Sequence, residues 1–219
     1  MIEQLTAVEA RILGALVEKS LTTPELYPLS LNSLVNACNQ KSSRDPVMSL
    51  GHAEVEKALV SLIDRKFAAR IHEPGARAAK YSHHIEVLLC SEDPKAIGVM
   101  CVLLLRGAQT LGEIKSRTER LCQFASTAEV DALLQELANR VDGAIVARAP
   151  RQPGQKEARF QQLFTGAAPV PAPAPEPPVA VMSKPVPEID RVSQLEERVK
   201  ALEAELKLIQ EHLEPSRRN

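Results

Sequence analysis

One pattern limits the folds open to this chain more than any other: a helix running straight into a two-stranded ribbon occurs twice. In the first copy, Gly51 to Lys66 carries Val55, Ala58, Leu59, Leu62 and Ile63 at spacings of three and four, which places them on one helical face. Beyond Phe67 the period shortens to two, with Ala69 and Ile71 alternating with Arg70 and His72. Glu73, Pro74, Gly75, Ala76 and Arg77 supply a turn, and Lys80 with Tyr81 starts the return strand. The second copy begins at Ser126, with Glu129 placed as in a capping box, and its stripe runs through Val130, Leu133, Leu134, Leu137 and Val141. Gly143 is expected to stop that helix. Ile145 to Ala147 and Ala158 to Phe160 then flank a turn at Pro150 to Gly154.

A single helix and ribbon cannot bury its own apolar face, so each copy needs further helices. They lie just upstream. Thr6 and Glu9 form a capping box before a stripe of Val8, Ile12, Leu13, Leu16 and Val17. Pro24 and Pro28 punctuate the connector that follows, because proline lacks the donor a helix interior requires. Leu31, Leu34, Val35 and Cys38 mark a second helix, and Gln40 to Ser49 form a polar loop holding Lys41, Arg44, Asp45 and Pro46. In the second half, Asp93 and Pro94 open a helix that is apolar nearly all round, from Ile97 to Leu105, and should be covered on several sides. Arg106 and Gly107 end it, and Thr110 with Glu113 caps a shorter helix.

Helix, helix, helix, ribbon is the order of a winged helix. The fold class expected is mainly α with small β-ribbons (α+β): tandem winged-helix domains at 1–87 and 91–166. Residues 167–187 form a Pro/Ala-rich linker, since eight of the sixteen prolines fall between Pro169 and Pro187. Val192, Leu195, Val199, Leu202, Leu206, Ile209 and Leu213 then alternate at three and four, which makes 188–214 a heptad-repeat, coiled-coil helix suited to self-association or to a protein partner. No run of 18 uncharged apolar residues exists, and Glu3, Glu9 and Arg11 interrupt the amino-terminal stretch, so no membrane contact and a cytoplasmic location are expected.

The formal net charge of −1 argues against coating nucleic acid by bulk electrostatics, so any such surface depends on where the cations are placed. The third helix offers Glu54, Glu56 and Asp64, which oppose phosphate. Lys41 and Arg44 in the loop, Arg70, Arg77 and Lys80 in the first wing, and Arg148, Arg151, Lys156 and Arg159 in the second are better placed to hold it. Arg117 and Arg120 add a further basic group beside Arg106 and Lys115. No enzyme assembles: the five histidines and four cysteines lack metal-ligand spacing, and no glycine-rich loop follows a strand. Neither catalytic residues nor a cofactor is expected, and Cys38, Cys90, Cys101 and Cys122 read as buried free thiols. His83 with Glu86 reads as an ion pair at the end of the wing.

Two stretches carry a family resemblance: LTAVEARILGALVEKSLTTPELYPLSLNSLVNACNQKSSRDPVM, and VLLLRGAQTLGEIKSRTERL in the second half. Over Gln4 to Phe164 the chain resembles the bacterial YceH family, whose members carry tandem winged-helix modules and have no assigned reaction. The resemblance makes Glu18, Lys19, Arg44 and Asp45, and then Arg106, Glu113, Arg117 and Arg120, members of its motifs. Arg44 is expected either to lock the loop against Asp45 or to face a phosphate, and Arg106 to pair with Glu113. Two functions stay open. One is a non-enzymatic, transcription-associated protein contacting double-stranded DNA through wings and loops; the other is a protein-interaction scaffold that oligomerises through its C-terminal helix.

Overall fold

The computed structural model describes residues 3–72, 78–149 and 157–166, together with Lys200. The linker and heptad segments, apart from the helical Lys200, lie outside these residues. The fold described is that of one compact unit, Met1–Ala172.

Helix α1 (Ala7–Thr22) is set by the expected capping box, in which the Thr6 hydroxyl accepts the Glu9 N–H and the Glu9 carboxylate accepts the Thr6 N–H. Nine consecutive residues, Glu9 through Val17, are buried, so α1 has no solvent face along this run. Three helices cover it. Helices α2 (Leu31–Cys38) and α3 (His52–Asp64) pack from its own half, and α5 (Pro94–Arg106) packs from the other half. Gly14 permits the approach of α5: Leu105 and Leu104 fill the space where a Cβ would stand, and the Cys101 thiol reaches the Gly14 carbonyl at 3.5 Å. The all-round apolar character of α5 is thereby explained, and one hydrophobic cluster spans both halves.

In the first half α3 leads into β2 (Ala68–Ile71) and β3 (Lys80–His83), which pair antiparallel with Arg70 opposite Tyr81. A short β1 (Leu29–Ser30) extends the sheet in the order β1-β3-β2. Two residues cannot show a period, and a pair of prolines beside them suggested a plain connector. Helix α4 (Ile85–Leu89) was likewise too short to declare itself, although Ile85, Leu88 and Leu89 have helical spacing and are buried. It joins the halves.

The second half repeats the order with α6 (Leu111–Thr118), α7 (Thr127–Ala138), β4 (Val146–Arg148) and β5 (Phe160–Gln162). Asp93 caps α5 with its side chain and Pro94 occupies the first turn. Thr110 and Glu113 form a full capping box on α6. At α7 only half of the expected box forms: Ser126 accepts the Glu129 N–H, while the Glu129 carboxylate takes the N–H of Ala125. The expected stripe also overran the helix. Val141 is fully exposed because α7 ends at Ala138, where the chain must turn back so that the Ile145 N–H can reach the Leu137 carbonyl and the Ile145 side chain the core. The whole is a mixed α and β fold with small antiparallel sheets.

Candidate functional site

The polar α2–α3 loop is built around a guanidinium. Arg44 has a fully buried side chain and holds both carboxylate oxygens of Glu18, at 3.1 and 2.6 Å. It also donates twice to the Ala37 carbonyl, once to that of Ser43, and to Gln40. Arg11, buried as well, donates to the Cys38 and Pro46 carbonyls. The buried carbonyl end of α2 thus receives two cations. Asn39 adds a two-way bond to the backbone of Leu50, and the Asp45 N–H binds the Leu105 carbonyl at the end of α5. Arg44 therefore locks the loop through Glu18 instead of Asp45, and its guanidinium is closed off from solvent. Lys41, in the same loop, is exposed.

Glu113 plays the corresponding part in the second half. Burial would push its carboxyl up, but the Thr110 N–H, Arg159 and Arg117 together hold it below the usual range. Arg159 approaches at 2.8 and 3.4 Å and also donates to the Ala108 carbonyl, while Arg117 stands at 3.5 Å. Arg106, expected to pair with Glu113, gives that place to Arg159. Sequence spacing could not have shown this, because Arg159 arrives just before the return strand, 46 residues later.

Of the ribbon cations, Arg77, Arg151 and Lys156 lie outside the described residues. Arg70 and Arg148 are exposed, and they share a position. Ala68, Ala69 and Arg70 in β2 run buried, half-buried, exposed, as do Val146, Ala147 and Arg148 in β4. Each is the third residue of the first ribbon strand, pointing outward. Arg148 lies over the Phe160 ring at 5.5 Å, which restricts a long side chain before any ligand arrives. Lys80 is half-buried on β3, opposite Ile71.

Four further basic residues line a cleft of about 340 Å³ between the two halves, whereas Lys115 faces away from it. Lys19 from α1, Arg106 from the last turn of α5, Arg117 from α6 and Arg120 just beyond it line the cleft with Glu18. Burial, then the charges of Arg117 and Arg44, lower the proton affinity of Arg106 against the pull of Glu18. Motif residues from the two halves of the chain thus meet at one place.

Among the described residues no cluster of three His, Cys, Asp or Glu side chains could hold a metal ion. Cys38 and Cys101 are buried, and burial pushes both thiols up, that of Cys38 to about 12. Cys90, by contrast, is exposed at the C-cap of α4, and Cys122 is half-buried.

His83 is held neutral. The Ile85 N–H donates to its Nδ1 at 3.3 Å, so the proton resides on Nε2, which meets the Ser20 hydroxyl at 2.9 Å. Burial keeps its pKa below the ordinary 6.5, outweighing Glu86 at 3.7 Å, and the neighbouring His84 charge acts in the same direction as burial. The unfolded chain therefore takes up this proton first as pH falls. Stability is full above pH 6.5 and drops as pH falls below it, by at most about 1.4 kcal/mol per pH unit, until the folded state is protonated too. Urea midpoints at about pH 7.5 and 5.5 should differ in the native chain and converge in His83→Gln; an equal difference in both would assign the effect elsewhere.

No helix among the described residues is long and apolar enough to cross a membrane. A family described as "Protein of unknown function, DUF480" matches residues 5–155. The UPF0502 protein of Aeromonas hydrophila is 40% identical over 215 residues, covering 95% of this chain and 96% of its own. That of Geotalea daltonii is 47% identical over 193 residues, covering 88% and 87%. The chain belongs to this DUF480/UPF0502 family of bacterial proteins.

Proposed function

We propose that this member of the UPF0502 family is a non-enzymatic protein of two winged-helix modules that contacts the phosphate backbone of double-stranded DNA through its ribbons. The order α1-α2-α3-β2-β3, repeated as α5-α6-α7-β4-β5, supports the two modules, at 1–87 and 91–166. The observation that carries the reading is the equivalence of Arg70 and Arg148, two exposed arginines at the same step of the same strand in both repeats. Phosphate contacts orient a protein on a duplex without reading its sequence, and an arginine fork suits them. Lys41, exposed in the α2–α3 loop, is a further candidate contact. Arg44 and Arg159, committed to Glu18 and Glu113, each brace their own module instead.

The double charge reversal Arg70→Glu with Arg148→Glu is expected to weaken duplex binding at least about tenfold at low salt, because two favourable contacts become repulsive. Fluorescence anisotropy with a labelled duplex measures it. Undiminished binding by the reversed protein would remove the ribbons from the interface.

The outward face of α3 favours a second reading. Glu56, Val60 and Asp64 lie on one stripe, and Val60 is 55% exposed, a surface better suited to a protein than to phosphate. On that reading the modules form a scaffold, with oligomerisation through 188–214. Absence of duplex binding by the native chain would give it precedence.

A further inference from the structure

The cleft between the repeats points to a different ligand. Lys19, Arg106, Arg117 and Arg120 face it from three helices and the turn after α6, against one lining carboxylate, Glu18, which already binds Arg44 through both oxygens and lies 3.5 Å from Lys19; Arg117 also stands 3.5 Å from Glu113, a carboxylate shared with Arg159. Part of this charge answers the helices themselves. Lys19, Arg106 and Arg117 stand in the last turns of α1, α5 and α6, where each helix end carries about −0.5 of a charge. Three such ends still leave the cations in excess, and Arg44 behind the wall adds to that excess. Arg120, beyond the end of α6, has no such duty. Bringing arginines together in a partly dehydrated cleft is unfavourable unless an anion stands between them.

We infer that this cleft is a binding site for a small organic phosphate, held by Arg106, Arg117 and Arg120, independently of the ribbon surface. Arginine forks match phosphate oxygens in pairs, and the volume of about 340 Å³ lies in the range of small-molecule sites. Leu105 and Leu121 in the lining give the organic part an apolar contact. Because the walls come from both halves, a ligand there also ties α1 to α5 and α6, and its occupancy should raise the unfolding temperature of the unit.

Calorimetric titration of the full chain with adenosine monophosphate and with inorganic pyrophosphate tests this. Both are expected to bind in the micromolar to millimolar range, and Arg106→Gln and Arg120→Gln are each expected to weaken them about tenfold. Arg120 is exposed, so its substitution leaves the packing intact. Arg70→Glu with Arg148→Glu should leave these affinities unchanged, which separates the cleft from the ribbons. No heat from the native chain at about 10 mM ligand, or equal affinity in the Arg120→Gln variant, would overturn the proposal. So would cleft variants that lose duplex DNA while keeping pyrophosphate, since the anion held there would then be the nucleic-acid backbone.

Discussion

Arg44→Met is expected to destabilise the unit by about 3–5 kcal/mol, the range for removing one partner of a buried ion pair. The guanidinium is closed off from water and satisfies Ala37, Ser43, Gln40 and both oxygens of Glu18. Methionine refills the volume but leaves the Ala37 carbonyl at the end of α2 without its donors and Glu18 with only Lys19, at 3.5 Å. Domains of this kind hold about 5–15 kcal/mol in total, so the loss is a large share. Lysine cannot substitute, because one ammonium cannot span a carboxylate and a helix end together. Adding Glu18→Gln should recover part of the loss by removing the stranded charge. Urea unfolding measures both; a loss under about 1 kcal/mol for Arg44→Met would show that water satisfies these groups without the arginine.

The second large effect concerns Gly14. A Cβ there would lie 2.8 Å from Leu105 Cγ and 3.2 Å from Leu104 Cβ. Replacing a mid-helix glycine ordinarily gains up to about 1 kcal/mol of helix propensity, but overpacking a close helix contact costs about 1–3 kcal/mol or more. Gly14→Val therefore loses, and what it loosens is the α1–α5 seam that joins the two halves. Leu105→Ala alone should cost about 2–5 kcal/mol by opening a cavity, whereas combined with Gly14→Val it should cost less than the two separate losses together. Strictly additive losses in a double-mutant cycle would mean the two residues do not meet.

The helices and ribbons were legible because their signals are local. Thr6 with Glu9, Thr110 with Glu113, and Asp93 before Pro94 mark starts that need only three or four residues to form. Burial on both sides of α1 was not legible, since a stripe in one sequence cannot show a second helix arriving from 80 residues away. The site was half legible for the same reason. Basic residues stood out, but their commitments depend on tertiary partners: Arg44 found Glu18 across 26 residues and Arg159 found Glu113 across 46. Lys19, absent from the expected contacts, joined Arg106, Arg117 and Arg120 only once α1 lay on α5. Arg70 could be placed in its short alternating strand directly, whereas the second strand was expected to end at Ala147 and the structure carries it one residue further, to Arg148.

The most direct test of phosphate contact by those two arginines is the salt dependence of duplex binding. The logarithm of affinity should fall linearly with the logarithm of salt concentration in the native chain, and Arg70→Gln with Arg148→Gln should reduce that slope by about 2, one for each phosphate released. A native chain that fails to bind duplex DNA even at about 50 mM salt, or a double variant with an unchanged slope, would contradict it.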